Sequence, residues 1–411
     1  MVQTKSLKRF ASIFLATSLV AGALAGCGAN SSSSNGGTST NTNEGGASSS
    51  ESSSETIKIG ANLELTGDVA SYGSSILAGA ELAIEEINAA GGIDGKQIEL
   101  VKADNKSDNG EAVASALKLA TQDKVHAMIG PATSGNVLAT VQIANQNKIP
   151  VVTASGTAEN LTVNDDGSVN EYIFRTCFID PFQGVVAANF ATNEIGAKNV
   201  AIYADNSSDY AKGLAAAFKQ QIEANGGTVV AEEAYVANDV DFKSTLTNLK
   251  SANPDFIFIP GYYEEVGLIV KQARELGIDV PLMGGDGWDS PTLLELAGPD
   301  ALNNTYMSNA FSAEDPEELI QDFVKAFEEK NGEKPNGFHA LGYDTAYYIA
   351  DAIDRADSTD GEAIKNALAS TENFEGVTGS FSVDEKHNPI KSATILSYED
   401  GKQVFNSKVN P

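Results

Sequence analysis

The side chains that could do chemistry are spread along the chain and gather into no catalytic pattern. His126, His339 and His387 each stand alone, with no second His or Cys at ligand spacing, so neither a metal centre nor a Cys–His dyad is expected. There is no Gly-x-Ser-x-Gly elbow, no phosphate loop ending in Gly-Lys-Ser/Thr and no His-Glu-x-x-His. The glycine-rich turns at 91–95 and 284–288 lack the spacing of a dinucleotide fingerprint. Cys177, inside the apolar run Tyr-Ile-Phe-Arg-Thr-Cys-Phe, reads as a buried, inert thiol. No enzyme, no cofactor and no resident metal are expected.

Hydroxyls, glycines and aromatics instead recur directly after short apolar runs. They stand at Leu65-Thr66-Gly67 with Tyr72, at 130–134, at 153–157, at 206–210, at Gly261-Tyr262-Tyr263 and at 285–288. Ser134 follows an apolar run and opens an amphipathic one. There it either caps the helix or, with nearby N–H groups, holds a carboxylate at the helix N-terminus. Asp286, between Gly285 and Gly287, is either an ordinary turn aspartate or an acceptor for an ammonium group. Taken together these groups suit the capture of a small zwitterion, not bond breaking.

The elements that must position them alternate regularly. Residues 57–65, 97–102, 125–130 and 150–153 read as strands, with helices at 74–89, 111–121 and 134–147 between them. The pair Gly91-Gly92 stops the first helix in a left-handed cap. After Asp180-Pro181 the pattern restarts: helices at 182–194, 209–225, 241–251 and 264–276, strands at 200–204, 228–234, 256–259 and 280–283. Strands alternating with helices argue for parallel sheets covered on both faces, and two such runs argue for two similar lobes. In such sheets ligands bind at the carboxyl ends of strands, where the polar residues above collect. Past Phe311 come helices at 316–330, 339–356 and 362–370, then strand-like 378–383 and 393–398.

The N-terminus reads separately. Lys5, Lys8 and Arg9 precede an uncharged stretch from Phe10 to Ala25, a secretory signal too short for a membrane span. Leu24-Ala25-Gly26-Cys27 resembles a bacterial lipobox, which implies lipidation at Cys27 after removal of residues 1–26. Residues 28–55 are almost all Ser, Gly, Asn and Thr, and cannot bury enough apolar surface to order themselves. As a flexible coil this tether reaches roughly 30 Å. Removing Lys5, Lys8 and Arg9 with the signal takes the net charge from −29 to −32. A body so acidic repels phosphates, so no nucleic-acid partner is expected. With Cys27 lipidated only Cys177 remains, which leaves no internal disulfide.

With these residues in order, the chain resembles the branched-chain amino-acid (leucine/isoleucine/valine) binding proteins of ABC transporters, with the type I periplasmic-binding-protein fold. The likeness runs from Ile57 to about Tyr398. It rests on Leu65-Thr66-Gly67 with Tyr72-Gly73, the segment 87–95, Tyr210-Ala211-Lys212-Gly213, Lys271-Gln272-Ala273-Arg274 and Ala340-Leu341-Gly342-Tyr343-Asp344. The resemblance implies an α/β fold of two doubly wound parallel-sheet lobes joined by a three-segment hinge, with the ligand in the interlobe cleft. Residues 56–179 and 311–380 would form lobe 1, and 181–308 and 383–411 lobe 2. It further implies Ser134, Ser155 and Thr157 for the ligand carboxylate, Asp286 and Tyr210 for the ammonium, and Tyr72, Tyr262 and His339 for the side-chain pocket. Better-known members of that family carry Glu where this chain has Asp286, and a lobe 1 disulfide that is missing here.

The expectation is therefore a lipid-anchored, monomeric solute-binding protein on the extracytoplasmic face of a bacterial cell membrane. Its partners would be a free amino acid and an ABC permease. The alternatives are a binder of a short amide, urea or an aromatic acid, and an extracellular ligand sensor.

Overall fold

A computed structural model describes residues 56–410 of the chain. The signal segment, the tether and Cys27 lie outside the described residues. Among the described residues no helix is long and apolar enough to cross a membrane.

The first sheet takes strands β1 (Ile57–Leu63), β2 (Ile98–Asp104), β3 (Ala127–Ile129), β4 (Val151–Thr153) and β5 (Ile173–Arg175), in the order β2-β1-β3-β4-β5, all parallel. Helices α1 (Ala70–Ala89), α2 (Asn109–Lys118) and α3 (Ser134–Asn147) connect them. Nearly every β1 residue is buried, as a strand covered on both faces requires.

The second sheet begins beyond α4 (Asp180–Asn189) with β6 (Asn199–Asp205), α5 (Asp209–Ala224), β7 (Thr228–Tyr235), α6 (Lys243–Ser251), β8 (Phe256–Phe258), α7 (Tyr263–Glu275) and β9 (Leu282–Gly284). Short helices α8 (Pro291–Ala297) and α9 (Pro299–Leu302) lead to β10 (Thr305–Asn309). The chain then supplies α10 (Glu318–Asn331), α11 (Gly337–Ala356) and α12 (Gly361–Ala369), and α11 packs along α1 beside the first sheet. Gly79 and Gly342 make that crossing possible. A methyl at either would land on the facing backbone carbonyl, of His339 or Ile76.

A two-stranded ribbon, β11 (Ser382–Val383) with β12 (Pro389–Ile390), precedes β13 (Ala393–Glu399) and β14 (Lys402–Val409), which return to the second sheet. Its order is β14-β13-β10-β9-β8-β6-β7. Periodicity led us to expect parallel sheets only. The second sheet is mixed, because β13 pairs antiparallel with β10 and the tight turn at Asp400-Gly401 folds β14 back on β13.

Buried polar bonds tie the connecting segments together. Lys391 donates from Nζ to the Thr176 carbonyl at 2.9 Å and to Thr378 Oγ1 at 2.5 Å. The Thr176 and Thr345 hydroxyls share a bond of 2.7 Å, and Asp344 accepts from the amides of Val377 and Thr378, both at 2.8 Å. Burial holds the Lys391 ammonium down at about 8, against the pull of Asp344. Cys177 is buried as expected, with its thiol pushed up to about 12 by burial.

Candidate functional site

A narrow cavity lies between the two sheets at the carboxyl ends of their strands. From the first-sheet side it is lined by Tyr72 of α1, by Ala132, Thr133 and Ser134 after β3, and by Ser155 after β4. Tyr210 in the first turn of α5, Tyr262 at the start of α7, and Asp286 and Gly287 after β9 close it from the second. Phe338, at the start of α11, completes the wall. Six residues singled out in the sequence, Tyr72, Ser134, Ser155, Tyr210, Tyr262 and Asp286, thus meet in one place.

Asp286 is nearly buried, and its placement depends on the glycines around it. A side chain at Gly285 would strike the Tyr210 hydroxyl and Gln183 Oε1; one at Gly287 would strike the Gly261 carbonyl. The backbone can therefore bring Asp286 against its donors: Gln183 Nε2 at 3.1 Å and the Tyr210 hydroxyl at 3.0 Å, both to Oδ1. Gln183 Oε1 in turn accepts from the Asp286 amide at 2.7 Å and from the Ser308 hydroxyl at 2.7 Å. Burial raises the Asp286 carboxyl to about 6, and the bonds from Gln183 and Tyr210 oppose that rise.

Ser134 is the first residue of α3, and its Oγ accepts from the Ala158 amide at 3.2 Å. Ser155 donates to the Ala132 carbonyl at 2.8 Å, so the two loops are knitted together. The neighbouring amides expected to serve a ligand are in part already used. Glu64, fully buried just past β1, accepts from Ala132 N at 2.9 Å, Thr133 N at 3.1 Å, Thr133 Oγ1 at 3.0 Å and Asn136 Nδ2 at 2.7 Å. Any anion here must rely on Ser134 and the hydroxyls, not on the Ala132 and Thr133 amides.

Two expected site residues do not line the cavity. His339 turns away from it: Nδ1 accepts from the Asn336 amide at 3.0 Å in a capping box, and the ring packs on Phe327 with centroids 4.5 Å apart. Burial holds its imidazole down at about 4. One helical residue is a step of about 100°, so when the box fixes His339 outward, Phe338 is the side chain that points in. Thr157 is buried behind Ser155, and its hydroxyl has no hydrogen-bond partner. The segment around it is braced by the buried Arg175, which donates to the carbonyls of Gly156 and Ala158, each at 2.9 Å.

The two sides clasp one another. Tyr72 donates its hydroxyl to the Gly287 carbonyl at 2.5 Å and accepts from the Tyr263 amide at 3.3 Å. Tyr263 donates to the Asp68 carbonyl at 2.9 Å, and Ser290 to the Ser71 hydroxyl at 2.8 Å. Tyr72 stacks on Phe338 at 4.4 Å, and Tyr210 stacks on Tyr262 at 5.3 Å. The result is an aromatic-walled cavity bridged by these bonds, with one carboxylate on one side and hydroxyls at a helix start on the other.

Glu64, Gln183, Arg175 and Phe338 escaped the sequence reading. Only Glu64 left a trace there, as a single charge closing the apolar run of β1.

Known proteins resemble this chain over nearly all of the described region. A family profile described as periplasmic binding protein matches residues 56–403. The leucine-, isoleucine-, valine-, threonine-, and alanine-binding protein of Pseudomonas aeruginosa is 33% identical over 359 residues, covering 87% of this chain and 93% of its own. Among solved structures, the branched-chain amino acid transporter substrate binding protein LivJ of Streptococcus pneumoniae, in complex with isoleucine, is 42% identical with a TM-score of 0.81. It covers 86% of this chain and 99% of its own. The leucine binding protein LivK of Thermotoga maritima is 35% identical with a TM-score of 0.81 over the same shares.

Proposed function

The chain belongs to the periplasmic binding protein family, and from that premise we propose that it captures an α-amino acid with a branched or other apolar side chain for an ABC importer. The observation that carries this reading is the pairing inside one cavity between the two sheets. Asp286 offers an anionic acceptor from the second sheet, and Ser134 opens helix α3 from the first. The distance from one to the other runs past Tyr72, Tyr210, Tyr262 and Phe338. An ammonium, a carboxylate and an apolar side chain are the three parts such a cavity sorts. Relatives named for leucine, isoleucine and valine support the same class.

In this reading Ser134, Ser155 and the Thr157 segment receive the ligand carboxylate. Asp286 receives the ammonium, with Tyr210 holding its carboxylate in place. Tyr72, Tyr262 and Phe338 bound the side chain. Residues 56–179 with 311–380 act as one lobe and 181–308 with the chain from 383 as the other, closing about their three connections. The protein works as a monomer without turning its ligand over. Cys27, lipidated after removal of residues 1–26, anchors it outside the cytoplasmic membrane, and the tether keeps it at high effective concentration near its permease. Asp286 disfavours a urea, amide or aromatic acid as ligand, since none supplies a cation.

A thermal-shift screen of the twenty amino acids together with urea, short amides and aromatic acids, followed by calorimetry, tests the proposal. A ligand at a hundred times its Kd stabilises by about 2.7 kcal/mol. We expect shifts from isoleucine, leucine and valine; a shift only from ligands without an amine overturns the reading.

A further inference from the structure

Asp289 closes the turn that begins at Asp286, and it is 1% exposed. Its amide donates to the Asp286 carbonyl at 2.9 Å. Both of its carboxylate oxygens are engaged. Oδ2 accepts from the Gly337 amide at 2.7 Å and from Asn309 Nδ2 at 2.8 Å, and Oδ1 accepts from Gln403 Nε2 at 2.8 Å. These donors come from three distant places in the chain: the first residue of α11, the end of β10 and the start of β14.

The bond from Gly337 is the informative one. The first N–H groups of a helix have no partner inside it. In α11 the capping box serves the His339 amide through Asn336, which leaves the Gly337 amide to a group outside the helix. Asp289 supplies that group from the second sheet's turn, and a carboxylate suits the positive end of the helix dipole. Residue 337 has to be glycine for this approach, because a methyl there would meet Asn309 Oδ1 and Asp289 Oδ2.

Directly after Gly337 comes Phe338, which lines the cavity and stacks on Tyr72 at 4.4 Å. Three residues before Asp289 stands Asp286, which lines it too. Helix α11 packs along α1 beside the first sheet. One short turn of the second sheet therefore carries the cavity's carboxylate at one end and the anchor of its aromatic wall at the other. Asp289 is not among the residues that line the cavity, so it reaches a ligand through these neighbours.

Building on the amino-acid reading above, we propose that Asp289 is a positioning residue for side-chain selectivity: by holding the first turn of α11, it fixes how far the Phe338 wall stands from the Asp286 carboxylate. A branched aliphatic side chain reaches that wall and gains from its fixed position, while the methyl of alanine stops short of it.

Calorimetry on the purified protein at pH 7 tests this, with isoleucine titrated directly and alanine by displacement of isoleucine. The two ligands present the same ammonium and carboxylate. Asp289→Ala is expected to weaken isoleucine binding about tenfold, the worth of one methylene in an apolar pocket, and alanine binding by less than about threefold. A general loosening of the site would weaken both alike. Phe338→Ala should reduce the same preference, and adding Asp289→Ala to it should weaken isoleucine binding no further. If Asp289→Ala fails to fold, Gly337→Ala decides, since its methyl displaces the first turn of α11 and should produce the same selective loss. Equal losses for both ligands, undiminished isoleucine affinity, or additive losses in the double variant overturn the assignment. A parent protein that binds no amino acid overturns the functional reading itself, and this one with it; a parent that binds isoleucine with an indifferent Asp289→Ala overturns this inference alone.

Discussion

Asp286 should make ligand binding fall away in mild acid, by an amount that follows from its surroundings. Burial raises its carboxyl from 3.8 to about 6 in the unliganded cleft. If an ammonium binds only the ionised form, the apparent Kd grows by one plus ten to the power of pKa minus pH. That factor is close to one at pH 7 and about ten at pH 5. Asp286→Asn removes the charge while keeping an oxygen for Gln183 and Tyr210. At pH 7 it should therefore weaken isoleucine binding by the worth of a charged hydrogen bond, about 1.5–3 kcal/mol, or roughly tenfold to 150-fold.

The stability of the unliganded protein moves the other way. The folded state holds this proton more tightly than the unfolded chain, so ionising Asp286 costs stability above about pH 6, and the cost fades as pH falls toward 4. The shift corresponds to about 3 kcal/mol at pH 7 and about half of that at pH 5. Asp286→Asn should accordingly raise the melting temperature of the empty protein, and more at pH 7 than at pH 5. Calorimetric titration and melting of parent and variant at both pH values read all of these quantities. A parent affinity that is flat from pH 7 to 5, or a variant that keeps the acid limb, refutes the role of Asp286.

Three further outcomes are expected. Tyr72→Phe deletes the clasp to Gly287 and the acceptor for the Tyr263 amide, so ligand dissociation in stopped flow should speed up about two- to tenfold while the fold stays intact; an unchanged off-rate rejects the clasp. Glu64→Gln sets an NH₂ group against donors of the Ala132–Asn136 loop. It should destabilise by about 1–3 kcal/mol in denaturant unfolding and weaken isoleucine binding through Ser134, and a neutral result shows that the loop holds itself. Cys27→Ser should move the protein from the membrane fraction to the soluble one or leave it unprocessed; membrane binding like the parent's rejects the lipid anchor.

The alternation of strands and helices in two successive runs was legible from the sequence alone, because its signals are local. Periodicity separated strands from helices, and Gly91-Gly92 and Asp180-Pro181 marked their ends. Parallel α/β topology then forces polar residues such as Ser134, Tyr210 and Asp286 to the carboxyl ends of strands, which is why they were legible as a site. What only the tertiary structure decided depends on which distant groups face each other. His339 and Phe338 are adjacent in sequence, and the choice between them was made by a capping bond from Asn336 that rotates one residue outward. Strand β14 alternates weakly and became visible only through pairing with β13. Glu64 and Gln183 carry no motif. Glu64 meets the amides of Ala132 and Thr133 across 68 and 69 positions, and Gln183 meets Asp286 across 103. A buried acid of this kind is tolerated only because the fold delivers its donors, and no local stretch of sequence records that delivery.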